Sequence, residues 1–204
     1  MLKDQLKNVK LAVIYYSSTG TNYQLAKIAT EHAESLGAEV RIRKAPELAP
    51  EEAIAQNEDW KKHLEETKSV KEATPDDIEW ANAFIIGTPT RFGNVSAQMK
   101  NFMDSLGGLW FQGKLADKTG AAFTSAANPH GGQESTLLAL YNTFHHWGIF
   151  TVSPGYTDQS VFASGGNPYG VSVTADGKGI PDEKKKVLQH LTHRVTSLAD
   201  HLAG

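Results

Sequence analysis

Three stretches, VKLAVIYYS (residues 9–17), NAFIIGT (82–88) and TGAAFTSA (119–126), are apolar or small in continuous runs rather than at every second position. Successive side chains of a strand point to opposite faces, so a strand without alternation must be covered on both sides. Segments of helical period lie between these runs. NYQLAKIATEHAESLG places Leu25, Ile28, Ala29 and Leu36 on one face, with Gly37 as its stop. VSAQMKNFMDSLG does the same with Val95, Met99, Phe102, Met103 and Leu106, and Gly107 closes it. QESTLLALYNTFHHWG (133–148) and a last segment from Pro181 to Ala203 complete the helical set. AEVRIRK alternates and predicts a more exposed strand, and IFTVS predicts a further one. Doubly buried strands alternating with helices define an α/β protein, a parallel sheet with helices on both faces. Two interruptions remain: residues 45–75, rich in Glu, Lys and Ala, predict a surface helix, and residues 153–181, rich in Gly, Pro, Ser and Asp, predict a long loop.

At 204 residues the chain fits one domain over 1–204. A net charge of -3 leaves no electrostatic footprint for nucleic acid or an anionic membrane surface. The sequence has no cysteine, which removes disulfides, thiolate nucleophiles and thiolate metal sites. No apolar run is long enough to span a bilayer, and LAVIYY is too short for a signal peptide, so a cytoplasmic protein is expected.

In open parallel sheets ligands bind beyond the carboxyl ends of the strands, where the strand order reverses. The loops at that edge are SSTGTN (17–22), GTPTRFGN (87–94) and SAANPHGGQ (125–133), each rich in Gly, hydroxyl and amide residues. Turn chemistry alone accounts for any one of them; three on one edge point to a ligand. Ser17, Ser18, Thr19, Gly20, Thr21 and Asn22 open a helix, whose N-terminal N–H groups and dipole suit a phosphate dianion. A nucleoside triphosphate loop would end in Gly-Lys-Ser/Thr, and no such lysine is present; the G-x-G-x-x-G dinucleotide fingerprint is absent from the chain. The loop suits one terminal phosphate held without a metal, as in flavin mononucleotide (FMN).

The blocks YYSSTGTN, GTPTRFGNVSAQMKNFMD, GGLWFQGKL, HGGQESTLLALYNTFHHWG and GGNPYG resemble, in order and spacing, the flavodoxin-like NAD(P)H:quinone oxidoreductases, also called Trp-repressor-binding proteins. The resemblance implies a flavodoxin-like three-layer sandwich with a five-stranded parallel sheet in the order 2-1-3-4-5. It implies FMN as cofactor, NADH or NADPH as hydride donor, and ping-pong two-electron reduction of quinones to hydroquinones. Residues 17–22 would hold the phosphate, and Thr90, Arg91 and Phe92 would flank the isoalloxazine. Ser125, Ala126, Ala127, Asn128, Pro129, His130 and Gly131 would run along its other side, with amides of 126–131 stabilising negative charge on the reduced ring. Trp110 would line the pocket for nicotinamide or quinone, and His145 matches a position associated with the flavin site. Some relatives carry an aromatic in the phosphate loop where this chain has Thr19, a candidate substrate contact. The expected assembly is a homotetramer, a dimer of dimers, with no nucleic-acid or membrane partner.

Taken singly, these residues have competing readings. Arg91, between a strand end and a glycine, suits an anionic ligand better than a solvated surface. Phe92 and Trp110 fall outside any periodic stripe, as exposed binding aromatics do. His145 shares a face with Leu137, Leu138 and Tyr141, which on residues alone favours a core histidine. It also lies some twelve residues into its helix, roughly 18 Å from the helix start, so a flavin role would require a neighbouring subunit. GGNPYG is a plain turn, a cover over the site or a contact with a partner. The alternatives to an enzyme are a flavodoxin-type electron carrier and a regulatory flavoprotein.

Overall fold

The structure, a computed structural model, describes residues 6–204; the first five positions of the expected 1–204 domain lie outside the described residues. The elements in chain order are β1 (Lys10–Tyr15), α1 (Thr21–Ser35), β2 (Glu39–Lys44), α2 (Glu51–Ala55), α3 (Glu58–Glu66), α4 (Pro75–Trp80), β3 (Ala83–Pro89) and α5 (Ala97–Ser105). They continue with α6 (Gly107–Phe111), β4 (Thr119–Ala126), α7 (Gln133–Trp147), β5 (Phe150–Thr151), α8 (Gln159–Ala163), β6 (Val171–Thr174) and α9 (Asp182–Ala203).

All the strand pairings among the described residues are parallel, and the main order is β2-β1-β3-β4-β5, the flavodoxin-like arrangement. The continuous apolar runs are buried as expected, and their parity sorts the core into two layers. Leu11, Val13, Tyr15, Ile85 and Phe123 pack with α1 and α9, while Ala12, Ile14, Phe84, Ile86 and Ala122 pack with α5 and α7. Each fully buried Leu, Ile or Phe contributes roughly 1.5–3 kcal/mol, so register is strongly enforced on both faces. Tyr15 pairs with Lys44 and Gly87, and Pro89 with Ser125, so the carboxyl ends of β1, β3 and β4 reach one rim together. No helix among the described residues is long and apolar enough to cross a membrane.

Three local expectations are corrected. IFTVS yields only the two residues of β5, paired to Thr119 and Gly120. The chain then leaves the sheet and returns within the expected 153–181 loop as β6, paired to Phe123–Ala126, so the edge strand is split in two. GGNPYG is the turn into β6: Asn167 Oδ1 accepts the Tyr169 N–H and Asn167 Nδ2 donates to Ser172 Oγ. The Tyr141 hydroxyl donates to the Tyr169 carbonyl at 2.5 Å, pinning this turn to α7. Second, residues 45–75 form two short helices, α2 and α3, and the start of α4. Third, Gly107 does not end the helical path but begins α6, which carries Trp110.

The 45–75 segment is tied to the rim by Glu47. Its carboxylate accepts from the Tyr16 hydroxyl (3.0 Å), the Trp60 indole (3.1 Å), the Gln98 amide (2.8 Å) and the N–H groups of Leu48 and Ala49 (both 2.9 Å). Tyr16 just past β1, Trp60 of α3 and Gln98 of α5 thus meet at one anion.

Candidate functional site

Ser17, two residues past the end of β1, sets the corner. Ser17 Oγ accepts the Gly20 N–H at 2.9 Å, and Asn22 Nδ2 donates to the Tyr16 carbonyl at 3.1 Å, closing Ser17–Asn22 into a tight loop. Gly20 is the N-cap of α1 at φ +98°, in the left-handed region that a glycine enters without cost. No side chain caps this helix and its first turn carries no carboxylate. The N–H groups of Thr21, Asn22 and Tyr23 therefore point outward without a protein acceptor among the described hydrogen bonds. By contrast, α3 is capped by Asn57 and α5 by Ser96, and acidic residues occupy the first turns of α4, α7 and α9. The α1 terminus is the one beside the rim that is built open for an anion.

The loop after β3 reaches toward it. Thr90 N donates to the Ser125 carbonyl (2.8 Å), and Thr136 Oγ1 donates to Thr90 Oγ1 (2.7 Å). Arg91 turns back over the Ser17–Asn22 loop, with its guanidinium donating to the Thr90 carbonyl (3.1 Å) and to Ser18 Oγ (3.5 Å). Arg91 and Asn94 exchange both backbone hydrogen bonds, 2.8 and 3.0 Å, around Phe92 and Gly93. Both central residues have positive φ, +53° and +76°, as in a type I′ hairpin turn. Phe92 is thus held in a conformation that aromatic residues avoid, with its ring wholly in solvent at 107% exposure.

The loop after β4 forms the opposite wall. Asn128 organises it: its side-chain oxygen accepts the His130 N–H (3.0 Å) and its carbonyl accepts the Gly131 N–H (3.1 Å). These two amides are used within the loop, whereas those of Ala127 and Asn128 make no hydrogen bond among the described residues. Gly132, at φ +86°, lies where a Cβ would come 2.5 Å from Gly93 Cα, so the two walls touch backbone to backbone.

Together these loops enclose a cavity of ≈ 550 Å³ lined by Ser17, Ser18, Thr19, Thr21, Asn22, Thr90, Arg91, Phe92, Ser125, Ala126, Ala127, Asn128 and Gly131, with Pro89 and Ala175. That volume is within the usual range for a small-molecule site, roughly 300–1,000 Å³. Most of the expected residues are therefore brought together. Gly20 faces the outer side of its loop, toward His63 and the 175–180 segment. Pro129 and His130 line a neighbouring cavity bounded by Leu138, Ser164 and Lys184.

Trp110 and His145 are not part of this cavity within one protomer. Trp110 Nε1 donates to the His146 carbonyl at 3.0 Å, at the far end of α7, about 18 Å along the helix from the rim. His145 is exposed, not a core histidine: Tyr141 and Phe144 turn inward and His145 turns out. Trp110 and Phe111 are 53% and 86% exposed beside it.

Sequence reading missed Ala175, Pro89 and His63. Ala175 enters only because β6 delivers it, its N–H donating to the Ala126 carbonyl (2.8 Å). His63 comes from a segment whose local pattern signals only a solvated helix.

A flavodoxin-like sheet with an open helix terminus and two facing loop walls at its carboxyl edge defines a flavin-type nucleotide-binding protein. Residues 9–160 match the family described as NADPH-dependent FMN reductase. The chain is 50% identical over 196 residues to a Deinococcus radiodurans protein named NAD(P)H dehydrogenase (quinone), covering 96% of this chain and 98% of that one. It is 43% identical over 174 residues to a Rhizobium rhizogenes protein of the same name, covering 83% and 85%. Among solved structures it resembles a flavodoxin, WrbA-like protein from Agrobacterium tumefaciens, with TM-score 0.67, 23% identity and coverage of 95% and 99%. The chain belongs to the NADPH-dependent FMN reductase family.

Proposed function

We propose that the chain is an FMN-dependent NAD(P)H:quinone oxidoreductase, carrying out two-electron reduction of quinones to hydroquinones. The observation that carries this reading is the open, uncapped terminus of α1 at the head of the cavity between the β3 and β4 loops. The donor set fits the cofactor: free N–H groups and the hydroxyls of Ser18, Thr19 and Thr21 for a phosphate, and two facing loop walls for a flat ring. When bound, FMN supplies the redox chemistry.

The residues of this chain then divide the remaining work. Residues 17–22 hold the phosphate, and Arg91 adds a positive charge above it from across the rim. Thr90, locked between Ser125 and Thr136, fixes one wall. Ala127 and Asn128 offer unused N–H groups on the other wall, where negative charge develops on a reduced ring. Phe92 presents an aromatic face at the cavity mouth for nicotinamide or quinone, and Thr19 leaves that mouth open on the phosphate side.

Trp110 and His145 act at the site of another subunit in a homotetramer. The exposed Trp110–Phe111 pair, remote from its own cavity, supports this assignment. The reaction belongs to the cytoplasm, where NAD(P)H is supplied. The test is the visible spectrum of purified protein with FMN: NADH should bleach the bound flavin and benzoquinone should restore it over many turnovers. Flavin binding without NADH turnover would assign an electron carrier instead.

A further inference from the structure

The phosphate loop has a second side. Outside it, between α1, α3 and the 175–180 segment, lies a cavity of ≈ 420 Å³ lined by Gly20, Tyr23, Lys27 and His63 among others. His63 comes from the 45–75 insertion, is 4% exposed, and sits so that a Cβ on Gly20 would be 3.5 Å from its Nδ1. Its ring packs on Tyr23 (centroids 5.7 Å), which packs on Tyr15 (5.3 Å). Its carbonyl accepts the N–H (3.0 Å) and hydroxyl (2.8 Å) of Thr67; neither ring nitrogen makes a hydrogen bond among the described contacts.

The imidazole opens onto the cavities on either side of it, where it can exchange a proton in response to what arrives at the loop. What arrives at Gly20, on the reading above, is a phosphate dianion on the inner side of the same loop. We propose that His63 is a positioning residue for the cofactor phosphate: an imidazole set behind the Gly20 corner that takes up a proton when the loop binds the dianion. This rests on the assignment of residues 17–22 as the phosphate site.

The surroundings allow the switch. Burial holds the His63 pKa below its ordinary 6.5, with Glu66 opposing and Lys44 assisting, so the ring is neutral near pH 7 in the free protein. The charged and titratable groups lining the cavities it borders are Asp59, Lys62 and Glu66 of its own helix, and Tyr23 and Lys27 of α1. Tyr15 and Tyr16 of β1 and its end, Lys44 of β2, Glu47 and Glu72 beyond β2, and Asp176 complete the set. Several of these are already matched: Lys62 lies 3.8 Å from Glu66, Asp176 3.5 Å from the Lys178 ammonium, and Glu47 holds its five donors. A dianion entering on the other side of the Gly20 corner favours the imidazolium. Because each unit of pKa shift is a factor of ten in affinity, about one unit gives roughly tenfold tighter phosphate binding below the shifted range.

Three measurements decide it. Calorimetric titration of FMN in two buffers of different ionisation enthalpy, at pH 6.5–7, should show more proton uptake for the native chain than for His63→Gln. Riboflavin, which lacks the phosphate, should show no such difference. Should His63→Gln fail to fold, the imidazole NMR titration of the native chain decides alone, with FMN expected to raise the His63 pKa by about one unit. Equal proton uptake in the two proteins, an unmoved His63 titration, or the same uptake with riboflavin would each overturn the role of His63 while leaving FMN binding intact. Failure of FMN to bind at all would overturn the phosphate-site assignment and this inference together.

Discussion

Phe92→Asn tests whether backbone strain at the rim is kept for the sake of a ligand. Phe92 occupies φ +53° at the first central position of a two-residue hairpin, where Asn-Gly is the preferred pair. An L-residue pays about 1–2 kcal/mol in the left-handed region, and Asn pays the least of those with a side chain. The Phe92 ring is wholly exposed, so nothing is lost from the core when it is removed. The apoprotein should therefore gain about 1 kcal/mol, which for a chain of this size raises Tm by about 2–4 °C. Ligand contacts should move the other way. Losing one aromatic face costs about 0.5–1.5 kcal/mol, so flavin or quinone binding should weaken roughly 2- to 12-fold. Circular-dichroism melts of the apoprotein, FMN fluorescence quenching and the quinone KM provide the readouts. A lower apoprotein Tm would mean that the ring supports the fold, and unchanged binding and KM would mean that the strain has no ligand role.

Gly132→Ala should be severe, because its Cβ would meet Gly93 Cα at 2.5 Å and its φ is +86°; a loss of at least about 2 kcal/mol and weakened FMN binding are expected in melts and titrations. Glu47→Gln should cost about 1.5–3 kcal/mol by losing charge-assisted hydrogen bonds, read by urea unfolding. Burial alone would raise the Glu47 pKa, but donors from Ala49, Gln98, Tyr16 and Trp60 hold it below the ordinary 4.5. A depressed carboxylate stabilises fully above 4.5, and this stability is lost as pH falls through the folded pKa; the native–variant difference should shrink over that window and not near neutrality. Trp110→Ala should lower quinone turnover and shift the assembly state in light scattering while leaving FMN affinity unchanged. Equal losses in turnover and FMN affinity would place Trp110 in the fold rather than in the substrate pocket.

The legible parts of the fold were those specified by local pattern. The run around Val13 and Ile14 has to be a doubly covered strand, and the run ending at Thr88 pairs beside it; the rim loops follow from where such strands end. Ser17–Asn22 and Thr90–Phe92 were legible as cavity-lining candidates through their convergence on one edge, since turn chemistry alone accounts for either loop taken singly. β6 did not, because Val171–Thr174 is a strand only through its pairing with Phe123–Ala126, and no local pattern encodes which strand will lie alongside. The single-residue reading of His145 failed for a related reason. Its helical face borders the buried one, and a shift of one position around the helix separates Phe144, in the core, from His145, in solvent.

His63 and Glu47 extend the same logic to function. Both lie in a stretch whose composition, WKKHLEE and its surroundings, matches any solvated helix. What distinguishes them is position: Glu47 gathers donors from Tyr16 past β1, from α3 and from α5, and that anchoring holds α3, with His63 on it, behind Gly20. Removing the insertion would leave the Ser17–Asn22 loop with its N–H groups but without its outer wall. The corner proposed to grip an anion is thus specified twice: locally by a short run of small and hydroxyl residues, and from about thirty to forty positions away by a carboxylate and an imidazole. Only the first leaves a mark in local sequence, because what surrounds the Glu47 carboxylate and the His63 imidazole is supplied by the fold.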